Sequence, residues 1–256
     1  MNTRSKPFIV SITSGKGGVG KTFVTTNLAT TLARQGKKVL VADCDLGLAN
    51  IDIMLGINPP LTLKDVVFGN THLRDVIIQT KGGFDLIPSS SGVREMAQLL
   101  FEKIQIIKDM LLEIEGYDFI LLDTGAGIAE VVLQFNLLAS QSIVVINREL
   151  TSLTDAYAMV KVMYQVFGRQ SFSIIANNIV DEKEGSAIYK NIDSISRRFL
   201  GFPLNYLGPV FQDDAVPKSL LKQEIAILSF PRSRIAANFS QIARAVLDLN
   251  KAGSSG

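Results

Sequence analysis

Cysteine, histidine and tryptophan are almost missing from this 256-residue chain, which holds one Cys, one His and no Trp. A single cysteine, Cys44, excludes an intramolecular disulfide and any cysteine-rich zinc or iron–sulfur site within one chain. A single histidine, His72, excludes a multi-histidine metal site. A lone thiol fits a reducing, cytoplasmic setting. An excess of one charge is missing too. The 26 Lys+Arg oppose 24 Asp+Glu, so the net is 26 − 24 = +2. That argues against a protein that coats nucleic acid over its whole surface, while leaving room for a local basic patch. No apolar run reaches the ~18–20 residues that span a bilayer. The polar stretch from Met1 to Pro7 lacks the architecture of a signal peptide.

What is present is a globular balance, with 47% hydrophobic against 20% charged residues, enough to bury a core. Short apolar runs alternate with longer helical patterns. The runs are Phe8–Thr13, Lys38–Asp43, Phe84–Pro88, Tyr117–Asp123, Ser142–Asn147, Phe172–Ile179 and Tyr206–Val210. Several are nearly continuous Val/Ile/Leu, as a strand covered by helices on both faces requires. The helical patterns are Lys21–Gln35, Glu95–Glu115 with a break, Ala129–Ala139, Ser152–Phe167, Lys183–Phe199 and Ser233–Leu249. The alternation predicts an α/β fold: a mostly parallel, twisted sheet with helices on both faces. Lys81-Gly82-Gly83, set between two apolar runs, predicts a local antiparallel excursion within Asp75–Ser89. No repeat or linker interrupts the pattern, so residues 1–250 are expected to form one domain. Residues 251–256, ending Gly-Ser-Ser-Gly, read as a linker or remnant.

The most informative stretch is Ser14-Gly15-Lys16-Gly17-Gly18-Val19-Gly20-Lys21-Thr22. It satisfies G-x-x-x-x-G-K-[ST] through Gly15, Gly20, Lys21 and Thr22. An apolar strand precedes it and the amphipathic helix Lys21–Gln35 follows, with Phe23 in its first turn counted among the nucleotide-binding residues. Glycines let backbone N–H groups turn inward around phosphate oxygens. The helix adds unpaired N–H groups and a positive dipole end. Lys21 is placed to reach the β- and γ-phosphates, and the Thr22 hydroxyl to reach Mg²⁺. ATP or ADP with Mg²⁺ is the expected ligand.

Such a site needs carboxylates at the carboxyl ends of neighbouring strands, where ligands bind in open α/β sheets. Asp43 and Asp45 end one strand and Asp123 ends another. Asp123 fits a carboxylate that holds Mg²⁺ through its water shell. Asp45 fits the residue that positions or polarises the attacking water. Asp43 orders either the magnesium shell or the loop. Strand-end aspartates also serve as plain turn or cap residues, which is the reading for Asp52. Cys44, flanked by two negative charges, reads as a small buried side chain. His72 has no catalytic company and reads as a surface or capping residue.

Gly-Lys-Gly-Gly-Val-Gly-Lys-Thr resembles the deviant Walker A motif of MinD/ParA-type ATPases. The resemblance extends through Asp45-Leu46-Gly47-Leu48-Ala49-Asn50-Ile51-Asp52 and Asp123-Thr124-Gly125-Ala126-Gly127-Ile128, which look like the two switch segments. Pro88–Val93, Thr151–Ala158 and Phe230–Ser233 are similar to the flagellar-number regulators FlhG and FleN within that class. It covers residues 8 to 249. It implies a P-loop ATPase of MinD-like fold that dimerises on ATP, with Lys16 acting on the nucleotide held by the partner subunit. It implies that Asn177 lies against the adenine ring, with the Pro209–Asp214 loop, including Phe211, on the other side of that pocket or else a surface turn. It implies flagellar regulatory or assembly proteins as partners and no specific nucleic acid. It also implies a cytoplasmic protein that meets the inner face of the membrane peripherally. Relatives do so through a basic amphipathic tail, and no such pattern follows Leu249. The sequence departs from the family at Arg148 or Leu150, and at Phe211, where prolines are usual. The rivals are a ParA-type partition ATPase binding DNA through Arg197-Arg198 and Arg232/Arg234, and a P-loop ligase or kinase of small molecules. An iron–sulfur relative is set aside, because Cys44 cannot supply a cluster's ligands even across a dimer.

Overall fold

The computed structural model describes residues 6–46, 48–90 and 101–253. Eight strands form one sheet: β1 (Phe8–Ser14), β2 (Val39–Cys44), β3 (Ile78–Gln79), β4 (Asp85–Ile87), β5 (Phe119–Ala126), β6 (Gln141–Ile146), β7 (Phe172–Ile179) and β8 (Asn205–Phe211). Their order across the sheet is β3-β4-β2-β5-β1-β6-β7-β8. Every pairing is parallel except β3 with β4. The predicted antiparallel excursion is therefore present. It turns at Thr80–Gly83, where the Gly83 N–H donates to the Thr80 carbonyl at 3.2 Å.

The main helices match the sequence pattern. They are α1 (Lys21–Arg34), α4 (Phe101–Leu112), α5 (Glu130–Leu138), α6 (Leu150–Phe167), α7 (Glu182–Phe199) and α10 (Arg234–Gly253). Four short helices lie between them: α2 (Ile51–Leu55), α3 (Leu63–Phe68), α8 (Ala215–Leu221) and α9 (Ala226–Ser229). The sequence pattern does not predict these four, which are too short for a helical period to register. Residues 95–100 of the expected Glu95–Glu115 helix, the family match at Ser91-Gly92-Val93, and Gly47 lie outside the described residues. The last helix takes in Lys251, Ala252 and Gly253, where composition places the start of a linker.

Central strands are buried along their whole length because helices cover both faces. On one side Val10, Val41, Phe119 and Leu121 pack with α1 and α10 residues such as Leu28, Phe239 and Ile242. On the other, Leu40, Ile120 and Leu122 pack with Ile107 of α4 and Phe135 of α5. A third cluster joins Val144 and Ile174 to Met159 and Met163 of α6. β1 has β5 on one side and β6 on the other. This brings the carboxyl ends of β1, β2 and β5 side by side, which sets the position of the site.

Candidate functional site

The P-loop runs from the end of β1 into α1. Gly20 stands at the N-cap of α1 with φ of 95°, a left-handed backbone that favours glycine. Gly15 packs against α6. A Cβ there would lie 2.1 Å from the carbonyl carbon of Asp155, so only glycine fits. Lys21 is buried, and its Nζ donates to the Ser14 hydroxyl at 3.1 Å. Burial pushes its pKa down, while Asp123 and Asp45 pull it back up. No carboxylate forms an ion pair with it among the described residues. The first turn of α1 carries no acidic residue and no side chain caps it. A buried ammonium without an anion in contact, beside a free positive helix end, is a site built for an anion.

The carboxylates meet this loop from the neighbouring strands. Asp123 accepts hydrogen bonds from the Thr22 and Thr25 hydroxyls, both at 2.8 Å. Burial raises its pKa to about 6, against the pull of those two hydroxyls. Asp43 is its register partner on β2. Asp43 accepts from the backbone N–H of Asp45 at 3.1 Å, of Asn50 at 3.3 Å and of Ile51 at 3.4 Å. Its pKa is also held well up, by burial first and by Asp123 second. Asp45 is half-buried and raised by burial, with Lys21 opposing. Cys44 is buried, and burial pushes its thiol well up.

A cleft of about 820 Å³ opens here, lined by Gly17, Gly18, Gly20, Lys21, Thr22, Phe23, Cys44, Asp45 and residues of both switch segments. That volume accommodates a nucleotide. Cβ atoms added at Gly17 or Gly18 would meet nothing within 4 Å, so a phosphate can approach the backbone there. Among the described residues no group of three or more His, Cys, Asp or Glu side chains could hold a metal alone. A Mg²⁺ held by the Thr22 hydroxyl, and by Asp123 through water, would take its other ligands from phosphate and solvent.

Other expected site residues lie apart from the cleft. Lys16 does not line it. Its Nζ forms an ion pair with Glu149 and donates to the Thr151 hydroxyl at 2.9 Å. The Lys16 contact draws the Glu149 pKa down. Glu149 is a residue that sequence reasoning misses, and its only signal is a carboxylate three positions after the end of β6. Val19 is buried beneath the loop, and its carbonyl accepts the side-chain amide of Asn177 at 2.8 Å. The Asn177 amide thus braces the phosphate loop. Pro209 and Phe211 sit on β8, away from the cleft lining. The Arg234 guanidinium stacks 4.4 Å from the Phe211 ring centre. Asp52 lies in the first turn of α2 and accepts from the Ile53 N–H at 2.8 Å. His72 is exposed and precedes a short 3₁₀ turn, Leu73–Val76, without capping it through its side chain.

The chain is similar to proteins of established families. An AAA-domain family model (AAA_31) matches residues 8–174. The antiactivator FleN of Pseudomonas aeruginosa is 37% identical over 245 residues, an alignment covering 93% of this chain and 85% of FleN. The flagellum site-determining protein YlxH of Helicobacter pylori is 31% identical over 237 residues, covering 91% of this chain and 80% of YlxH. The septum site-determining protein MinD of Pyrococcus horikoshii, solved with Mg-ADP, superposes with a TM-score of 0.79 at 28% identity, covering 94% of this chain and 96% of that one. With more than half of its length matched by the model and relatives above 30% identity aligned over nine-tenths of it, the chain belongs to the AAA-domain family of P-loop ATPases that includes FleN and MinD.

Proposed function

We propose that the chain is an ATP-dependent dimerising switch that hydrolyses ATP slowly and governs flagellar number or placement. The observation that carries this reading is the division of labour between two lysines on one loop. Lys21 is buried in its own cleft, whereas Lys16 stands on the rim, outside the cleft lining and tied to Glu149. A rim lysine released from Glu149 can serve the triphosphate of a second copy. Three apolar side chains surround that rim: Leu150, 78% exposed, Leu48, 69%, and Ile128, 52%. They supply the apolar area that two copies would bury face to face.

A bound Mg²⁺–ATP would supply the phosphoanhydride bond to be cleaved and the ion that neutralises charge developing on its oxygens. The chain's own residues bind and orient. The loop amides and Lys21 hold the phosphates. Thr22 and Asp123 hold the metal side. Asp45, half-buried beside the cleft, positions the attacking water and accepts its proton. The Asp43 carboxylate shapes the Asp45–Ile51 segment by holding three of its amides. The family resemblance and YlxH, which is named for determining the flagellum site, support the flagellar assignment. The partition reading is weaker here, because Arg197 is paired with Asp193 at 2.8 Å and Arg234 stacks on Phe211. No helix among the described residues is long and apolar enough to cross a membrane, so any membrane contact is peripheral in this reading.

The test is size measurement by light scattering with Mg²⁺–ATP on Asp45→Ala, alongside hydrolysis by Lys16→Ala. A stable ATP-dependent dimer of the first and loss of turnover in the second are expected. A monomer in the first, with parental turnover in the second, would sink the reading.

A further inference from the structure

A second cleft, of about 640 Å³, flanks the nucleotide cleft. One wall is the end of α2, with Leu55 and Ile57. The other is the α8–α9 connection, with Ile225 and Leu228. Lys81 closes it from the β3–β4 turn. Part of its aliphatic lining is left in water, with Leu228 37% exposed and Leu55 and Ile57 half-buried. Single exposed aliphatics are ordinary, but several around one concavity form the kind of patch that binds a partner. The charges of the cleft are cationic on balance, two lysines against one carboxylate. Lys81 and Lys222 line it, and neither forms an ion pair among the described residues. Its carboxylate, Glu224, accepts the Ser229 hydroxyl at 2.6 Å.

This cleft is joined to the nucleotide site through α2. The helix begins at Asn50 and Ile51, whose amides are held by Asp43. Near its far end, the Ile53 carbonyl accepts the Gln223 side-chain amide at 2.8 Å. Gln223 has φ of 54°, a left-handed backbone uncommon outside glycine. Its side chain lies so close over Gly56 that a Cβ there would come within 3.0 Å of the Gln223 Oε1. Gln223 therefore clamps the two walls together, and one wall starts at a carboxylate of the nucleotide site. A shift of α2 changes the opening between them.

We propose that this cleft is a docking groove for an acidic, amphipathic segment of a partner protein, with its affinity set by the bound nucleotide through α2 and Gln223. The proposal rests on the switch reading above. A helix with apolar residues at i, i+3 and i+4 would seat them against Leu55, Ile225 and Leu228, and its carboxylates would meet Lys81 and Lys222. The concave shape favours a peptide over a membrane surface.

The probe is a synthetic amphipathic peptide with Leu on one helical face and Glu on the other. It is compared with a version carrying Lys in place of Glu, by fluorescence anisotropy on the full chain. The Glu peptide is expected to bind about tenfold tighter than the Lys peptide, and to lose about tenfold on Lys81→Glu/Lys222→Glu. Its affinity should differ at least about fivefold between Mg-ADP and a non-hydrolysable Mg-ATP analogue. Gln223→Ala should erase that difference and leave nucleotide affinity unchanged. Equal binding of the two peptides, or indifference to the lysine changes, overturns the groove. So does charge-dependent binding of phosphatidylglycerol vesicles without peptide binding. A fluorescent nucleotide titration separates the two readings. A chain that binds nucleotide but not the Glu peptide defeats the groove alone, and one that binds the peptide but no nucleotide defeats the switch and its control of the groove.

Discussion

Asp43 and Asp123 are register partners on adjacent parallel strands; burial raises the cost of charging both, and Asp123 raises that of Asp43 further. Two carboxylates so placed are costly to ionise without a cation. The strain is concentrated at the place where Mg²⁺ is proposed to bind.

Removing one of these charges should stabilise the chain in the absence of nucleotide. The Asp123 carboxyl is raised to about 6 in the fold from about 3.9 when exposed. Its contribution to stability is thus fully present below about pH 4 and is lost as pH rises through about 6. Asp123→Asn removes that loss but gives up one hydroxyl bond, for a net gain of about 1–2 kcal/mol at pH 7.5. Melting without nucleotide should rise by a few degrees at pH 7.5 and hardly at pH 4.5. A variant that melts below the parent at pH 7.5 contradicts the account.

The contact between Lys16 and Glu149 should restrain dimer formation. Both side chains are partly exposed, so the pair is sensitive to salt. Glu149→Ala frees Lys16, and the ATP-induced dimer should appear at a several-fold lower protein concentration. Sedimentation across a concentration series reads this. An unchanged or higher midpoint rejects it.

Asn177 should matter to the phosphate loop as well as to any base. Its amide satisfies the buried Val19 carbonyl, and leaving such a group unpaired costs about 1–3 kcal/mol. Asn177→Ala should therefore speed hydrogen exchange across residues 15–20, while strands β2 and β5 keep their protection. Exchange confined to β7 would restrict Asn177 to its own strand.

A buried polar chain links β1 to the helix after the second switch segment. The Ser11 hydroxyl donates to the Asn136 Oδ1 at 2.8 Å, and the Asn136 amide donates to the Thr13 hydroxyl at 3.2 Å. Asn136→Ala leaves the Ser11 hydroxyl with Ser142 and the Thr13 hydroxyl with the Met159 sulfur alone, and opens a small void. A loss of about 2–3 kcal/mol is expected in urea unfolding. A change under about 0.5 kcal/mol would mean that the chain adapts around it.

The sheet, its long helices and the P-loop were legible in the sequence because each rests on local signals. Strands buried on both faces read as continuous Val/Ile/Leu, and the loop is spelled in glycines. The short helices carry weaker signals. Thr62 and Asp65 do form a capping box at α3, a pattern visible in the sequence. The α9 turn, however, depends on the Ile227 N–H donating to Asn27 Oδ1, 200 positions away. Glu149 was illegible as the partner of Lys16 for the same reason, since 133 positions separate them. The aspartates were legible as strand ends. For Asp43 the sequence left two readings, the magnesium shell or the loop, because the pattern fixes the strand but not the path of the chain beyond it; the amides it holds belong to the loop.

The fit of Gly15 against Asp155 has a mechanical consequence. Backbones in such close contact cannot slide past one another, so the phosphate loop and the first turns of α6 move as one body. That helix is 18 residues long, from Leu150 to Phe167, about 27 Å. It acts as a strut. A displacement of the phosphate loop is therefore expected to be shared by this helix.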